Sequence, residues 1–205
     1  AAKATALLQE RHPANAARVL KALHPFKAHQ VWERCSKASR DGISQFLSGI
    51  FPRQWQANLA FADGAVGRLM EPAVGVFGRE MRVAEVLSNL RELVKREFVT
   101  YLYLVDRDLR LEGLVVMRDL LFAAPEQLLG DIMISRPFAL RADCRIMEAM
   151  QQVLVKHFPV YPVVNDEGKL LGLVRGFRLF EAQAIEISAQ AGSMVGVEKE
   201  ERTTT

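Results

Sequence analysis

Cysteine is scarce in this chain. Cys35 and Cys144 are the only two in 205 residues. They stand far apart, with neither a CxxC nor metal-ligand spacing, which excludes a disulfide framework and a thiolate zinc site. Both are expected to be reduced thiols in a cytoplasmic setting. Long apolar runs are also missing, since no stretch reaches the roughly 18–20 residues that span a bilayer. The N-terminus reads as an Ala/Lys helix without the apolar segment of a signal peptide. Charge of one sign is nowhere concentrated. The net charge is +3, and its scattered basic residues argue against a nucleic-acid partner. No Ser/His/Asp set, Gly-rich phosphate loop or paired-carboxylate motif is found, so catalysis is not expected. His29 and His157 have no partner at ligand spacing.

What the chain does have is a repeat. Val66-Gly67-Arg68-Leu69-Met70 returns as Leu129-Gly130-Asp131-Ile132-Met133, and Arg82-Val83-Ala84-Glu85 returns as Arg145-Ile146-Met147-Glu148. Tyr103-Leu104-Val105-Asp106 with Gly113-Leu114-Val115 returns as Pro162-Val163-Val164-Asn165 with Gly172-Leu173-Val174. The order is kept and the spacing slips by four residues. Internal similarity dictates architecture: two copies of one small α/β unit, related by a pseudo-twofold axis, with a cleft between them. Each copy is predicted to hold an amphipathic helix, at roughly 81–96 and 144–157. Two strands follow, at 99–105 and 111–116, then at 160–164 and 169–174. A second helix closes each copy, at 118–123 and from 177 to about 191. Asn165-Asp166-Glu167-Gly168 reads as a hairpin turn. Met70 and Met133 are expected to pack at the repeat junctions.

Residues 1–62 read as short helices. Apolar positions recur at helical spacing, and Pro13, Pro25 and Pro52 each mark a helix start, where a missing N–H is harmless. His12 and His24 precede two of these prolines and take structural roles. Asp41-Gly42 reads as a break between helices, and Trp32 and Trp55 as core aromatics. The fold class is therefore α+β: a small all-α, superhelical segment, then the paired repeat. The boundaries are 1–62, 63–128 and 129–187, with a connecting-helix end and frayed tail over 188–205.

The ordered pieces Gly-x-x-Met, Arg-x-x-Glu, Val-Val-Asp/Asn, Gly-Leu-Val and Arg-Asp-Leu-Leu resemble the CBS domain, a regulatory module that occurs in tandem. His12-Pro13-x-x-Ala16-Ala17-Arg18-Val19-Leu20 and the junction Gly67-Arg68-Leu69-Met70-Glu71-Pro72 resemble the N-domain of MgtE-type magnesium transporters and its link to the first CBS domain. The resemblance implies a cytosolic gating region at the inner face of the membrane. It implies a homodimer through the CBS pairs and a transmembrane pore domain outside this chain. The alternative is a soluble CBS pair that senses an adenine nucleotide and regulates a protein partner.

Two ligands follow from the resemblance. Mg²⁺ between carboxylates implies Asp63, Asp143, Glu148, Glu181 and Glu186 as metal contacts, because a hard cation takes oxygen ligands. The chain is acid-poor where the family is acid-rich: Lys156 and His157 precede one strand, and Phe177 and Arg178 follow another. An adenine nucleotide implies Tyr103, Val116, Asp119, Arg175 and Arg178. The family's Ser/Thr three residues before an Asp is here Val116 with Asp119, then Arg175 with Arg178. An arginine in such a cleft holds phosphate.

Overall fold

The computed structural model of the chain describes residues 2–23, 28, 31–47, 50–95, 99–184 and 187. It divides into two units, Ala1–Ala60 and Phe61–Thr205.

The first unit contains α1 (Ala2–Gln9), α2 (Pro13–Ala22), α3 (Lys37–Ser44) and α4 (Ile50–Asn58). Pro13 is the first residue of α2, and the Ala14 N–H donates to His12 Nδ1 at 3.3 Å, so the His-Pro pair caps the helix. His24-Pro25 lies outside the described residues. Pro52 is the third residue of α4 rather than the first. No helical acceptor waits for its nitrogen in the first turn, so the helix tolerates it there. Asp41-Gly42 does not break the chain but lies inside α3. Burial of Ile43 at 2% exposure holds that turn. A Cβ on Gly42 would sit 3.5 Å from the Pro13 ring, so glycine lets α3 approach α2. The core gathers Leu8, Ala16, Leu20, Val31, Ile43, Trp32 and Trp55, and the two indoles stand 5.9 Å apart at 43°.

In the second unit the repeat becomes two matching layers. The first copy has β1 (Val76–Phe77), α5 (Val83–Leu93), β2 (Tyr101–Val105), β3 (Leu111–Val116) and α6 (Met117–Phe122). Then come α7 (Leu129–Ile132) and β4 (Ile134–Ser135). The second copy has β5 (Leu140–Arg141), α8 (Ile146–Val153), β6 (Val160–Val164) and β7 (Leu170–Arg175), followed by helix over 176–184. The sheets run β1-β2-β3-β4 and β5-β6-β7, with β1 and β5 parallel to their neighbours and the hairpins antiparallel. Helices α5 and α8 start later than their apolar periodicity suggests. Carbonyls from the segment ahead of the other copy fix their first N–H groups: Val83 donates to Gln127, Ala84 to Pro125, and Ile146 to Gly64. The stretch beyond Ala184 holds one described residue, Ile187.

Packing divides this unit differently from the sequence repeat. Val66, Leu69 and Met70 precede the first copy but belong to the core of the second, with Leu140, Met150, Tyr161 and Val174. Leu129, Ile132 and Met133 precede the second copy but pack on the first, with Val86, Leu90, Leu102 and Val115. A Cβ on Gly172 would press on Met70, and one on Gly113 on Met133. Each copy thus lends its leading segment to the other. A one-residue change at either crossing is felt in both copies.

The hairpin turns meet at the pseudo-axis. Leu111 N–H donates to Gly168 O and Leu170 N–H to Leu109 O, at 3.0 and 2.9 Å. The turns are built alike: Asp106 Oδ1 accepts the N–H groups of Asp108 and Arg110, and Asn165 Oδ1 those of Glu167 and Lys169. The last position needs left-handed backbone, at φ 77° for Gly168 and φ 64° for Leu109. That region costs a side-chain-bearing residue about 1–2 kcal/mol, against about 0.5–1 kcal/mol of extra glycine entropy. Leu109 is 57% exposed and packs little. Leu109→Gly should therefore raise the melting temperature by about 2 °C, as read by thermal denaturation. A fall would mean that the leucine is packed.

Candidate nucleotide and ion sites

Tyr103 lies mid-strand in β2 and is 1% exposed. Burial, reinforced by Tyr101, pushes its phenol well above the ordinary value, while the nearby Arg175 guanidinium pulls it down. Arg175 closes β7. Its Nε donates to Glu71 Oε2 at 2.8 Å, with the two side chains 26% and 15% exposed. The leading segment carries Glu71 there: Glu71 N–H donates to Leu173 O at 2.8 Å, and Leu173 N–H to Glu71 O at 2.9 Å. The structure thus brings Tyr103, Arg175 and Glu71 together. Glu71 went unassigned in the sequence reading. The available signal was register, because the matching contact in the other copy, Leu114 with Ile134, is wholly apolar.

The other nucleotide candidates are placed differently. Val116 precedes α6 and offers no side-chain cap. Asp119 lies in the first turn of α6, where its Oδ1 accepts from Arg118 Nε and Nη2 at 3.1 and 3.0 Å. It stays accessible on a side chain 39% exposed. Arg178 is buried at 5% exposure, and its Nη1 donates to Glu181 Oε2 at 3.2 Å. A residue expected to hold phosphate and one expected to hold metal are therefore paired with each other.

Arginine also meets two of the remaining ion candidates. Asp63 accepts from Arg68 Nη2 at 2.6 Å. Asp143 accepts from Arg141 Nε and Nη2 at 3.0 and 2.9 Å, and these bonds hold its carboxyl below the usual carboxylate range. Glu148 accepts from the Cys144 thiol at 3.6 Å. Desolvation first, then Glu148, pushes that thiol up, so it is a poor nucleophile. Glu186 lies outside the described residues. Among the described residues no three His, Cys, Asp or Glu side chains gather as a metal group.

The CBS domain family matches residues 129–184, the second copy. The magnesium transporter MgtE of Thermus thermophilus is 32% identical over 143 residues, which is 68% of this chain and 32% of that protein. Among solved structures, the soluble part of a magnesium transporter superposes with TM-score 0.77 at 22% identity, over 87% of this chain and 70% of that one. This likeness carries the fold, helical segment included. The cytosolic domain of the Mg²⁺ channel MgtE in complex with ATP is more similar in sequence, at 27% identity. It superposes with TM-score 0.63 over 88% of this chain and 79% of that one. The chain is an MgtE-type cytosolic region.

The MgtE-type architecture accounts for the lent segments, because tandem CBS copies here form one interleaved body rather than two beads. The chain spans about a third or less of the curated MgtE relatives it matches. Among the described residues no helix is long and apolar enough to cross a membrane. Arg68, Arg141 and Arg178 each hold a carboxylate that a hard cation would need free.

Proposed function

We propose that this chain is the regulatory region of a divalent-cation transporter. It binds an adenine nucleotide in its CBS pair and responds only weakly to Mg²⁺. The likeness to the ATP-bound MgtE domain, over 88% of the chain, is the observation that carries this reading. The role is binding and gating rather than chemistry. In the complete protein the region sits at the cytosolic membrane face, next to a pore outside this chain. A homodimer through the CBS pairs fits the apolar surface of the second copy, where Leu154, Val155, Phe158, Phe177 and Phe180 are 42–78% exposed. The nucleotide ribose falls to Asp119, and the phosphates to Arg175 once Glu71 yields it.

Calorimetry with ATP and AMP tests the reading. One weak site per chain is expected, and Asp119→Ala should abolish it. Absence of heat at about 5 mM nucleotide, or binding untouched by Asp119→Ala, would overturn the nucleotide assignment.

A further inference from the structure

Charge that is scattered along the sequence is shared unequally between the two units. Residues 1–60 hold nine Lys and Arg against three Asp and Glu, a net charge of +6. Residues 61–205 hold eighteen against twenty-one, a net charge of −3. The cations are also used differently. Nine Lys and Arg side chains of the second unit each meet a carboxylate. In the first unit Arg11, Arg18, Arg34, Lys37 and Arg53 are exposed, and none of the five is paired with an acid among the described residues.

Helix ends carry the same contrast. Helices α5 to α8 each have an acid in the first turn, at Glu85, Asp119, Asp131 and Glu148. That sign stabilises a helix, because its dipole is positive at the start. None of α1 to α4 has one. Lys37 is instead the first residue of α3 and Arg53 the fourth of α4, so these cations work against the dipole and add to the positive potential of the unit. The surface is most coherent along α2. Asn15, Arg18, Val19 and Ala22 are exposed, at the spacing of one helix face, with Ala16, Ala17 and Leu20 buried behind them. Arg11 lies four residues before Asn15 and is exposed as well. Phe46, 46% exposed, stands at the same end of α2, its ring 6.2 Å from His12.

We propose that the α2 face of the helical unit docks on an anionic phospholipid surface. Unpaired guanidiniums of Arg11 and Arg18 meet the lipid phosphates, and Val19 and Phe46 reach toward the acyl boundary. A nucleic acid would use the cations but leave Val19 and Phe46 in water. Such docking rests on the proposed place of the region at the cytosolic membrane face and is independent of nucleotide and Mg²⁺ binding. It would tether the helical unit to the leaflet.

Co-sedimentation of the whole chain with vesicles at about 0.1 M salt, of phosphatidylcholine alone or with about 30% phosphatidylglycerol, tests this. The chain is expected to sediment with the anionic vesicles only, and to be released at about 0.5 M salt as the charges are screened. Arg11→Gln with Arg18→Gln should weaken binding about twentyfold, roughly fivefold for each cation near the surface. Val19→Ser should weaken it about threefold through lost apolar contact. Arg107→Gln with Arg110→Gln, exposed in the second unit, should leave it unchanged. Circular dichroism checks that each variant folds. No sedimentation with anionic vesicles, equal sedimentation with phosphatidylcholine alone, or unchanged binding in the Arg11 and Arg18 variant would overturn the proposal. So would an equal loss in the Arg107 and Arg110 variant. Tighter binding to a DNA duplex than to the vesicles, at equal phosphate concentration, would overturn it in favour of nucleic acid. A chain that binds ATP but no vesicle keeps its regulatory role and loses only the tether.

Discussion

Trp32→Ala is expected to unfold the helical unit while leaving the CBS pair standing. Trp32 is fully buried at 0% exposure, and its ring packs against Trp55 at 5.9 Å. Truncating such a side chain costs about 3–5 kcal/mol through lost burial and the cavity left behind. One term works the other way. Trp32 Nε1 is buried without an acceptor, so its removal returns about 1 kcal/mol. The net loss, about 3 kcal/mol, falls on a unit of some sixty residues. A core that small holds few kilocalories in reserve. The CBS pair has cores of its own, built from different residues. Far-UV circular dichroism should therefore show a helical signal already lost at 25 °C, with the remaining transition near its wild-type temperature. Hydrogen exchange should place the loss in residues 1–60. A single transition shifted as a whole would mean that the two units unfold together.

Arg175→Ala should destabilise the CBS pair by about 2 kcal/mol. The substitution strands Glu71, a carboxylate only 15% exposed and held in place by its backbone bridge to Leu173. Breaking a fully buried pair costs about 3–5 kcal/mol. Partial exposure of Arg175 at 26% lets water screen the pair and lowers the figure. Replacing both partners with leucine should recover most of the loss, because Arg175 and Glu71 stand where the other copy has the apolar residues Val116 and Ile134. The double-mutant cycle reads the coupling directly. Additive single effects would show that the ion pair contributes nothing beyond its separate side chains.

Much of the fold was legible because the chain writes it twice. The strands at 111–116 and 160–164 lie where alternation and β-branched residues put them, and Trp32 and Trp55 are core residues. Helix ends were less legible. Donors at the first turns of α5 and α8 are met by carbonyls more than forty residues away in sequence, which periodicity does not register. Asp41-Gly42 misled because local turn chemistry was outweighed by the packing of Ile43. The exchange of leading segments left no mark in the repeat, since both orders read the same along the chain. At the site, residue types were visible but pairings were not. Arg178 sits four residues before Ala182, three before Glu181 on the same helix, and only burial shows that the arginine is committed to that acid.

Magnesium flux is the most direct measure of the central claim, that this chain is a ligand-sensing gate. The chain would replace the corresponding region of the Thermus thermophilus MgtE transporter, and Mg²⁺ uptake into proteoliposomes would be followed at set internal Mg²⁺ and ATP. The account predicts that uptake still falls as internal ligand rises. It predicts a Mg²⁺ midpoint well above that of the host protein, because arginines hold Asp63, Asp143 and Glu181. Uptake that ignores both ligands, indistinguishable from a pore with the region deleted, would contradict it.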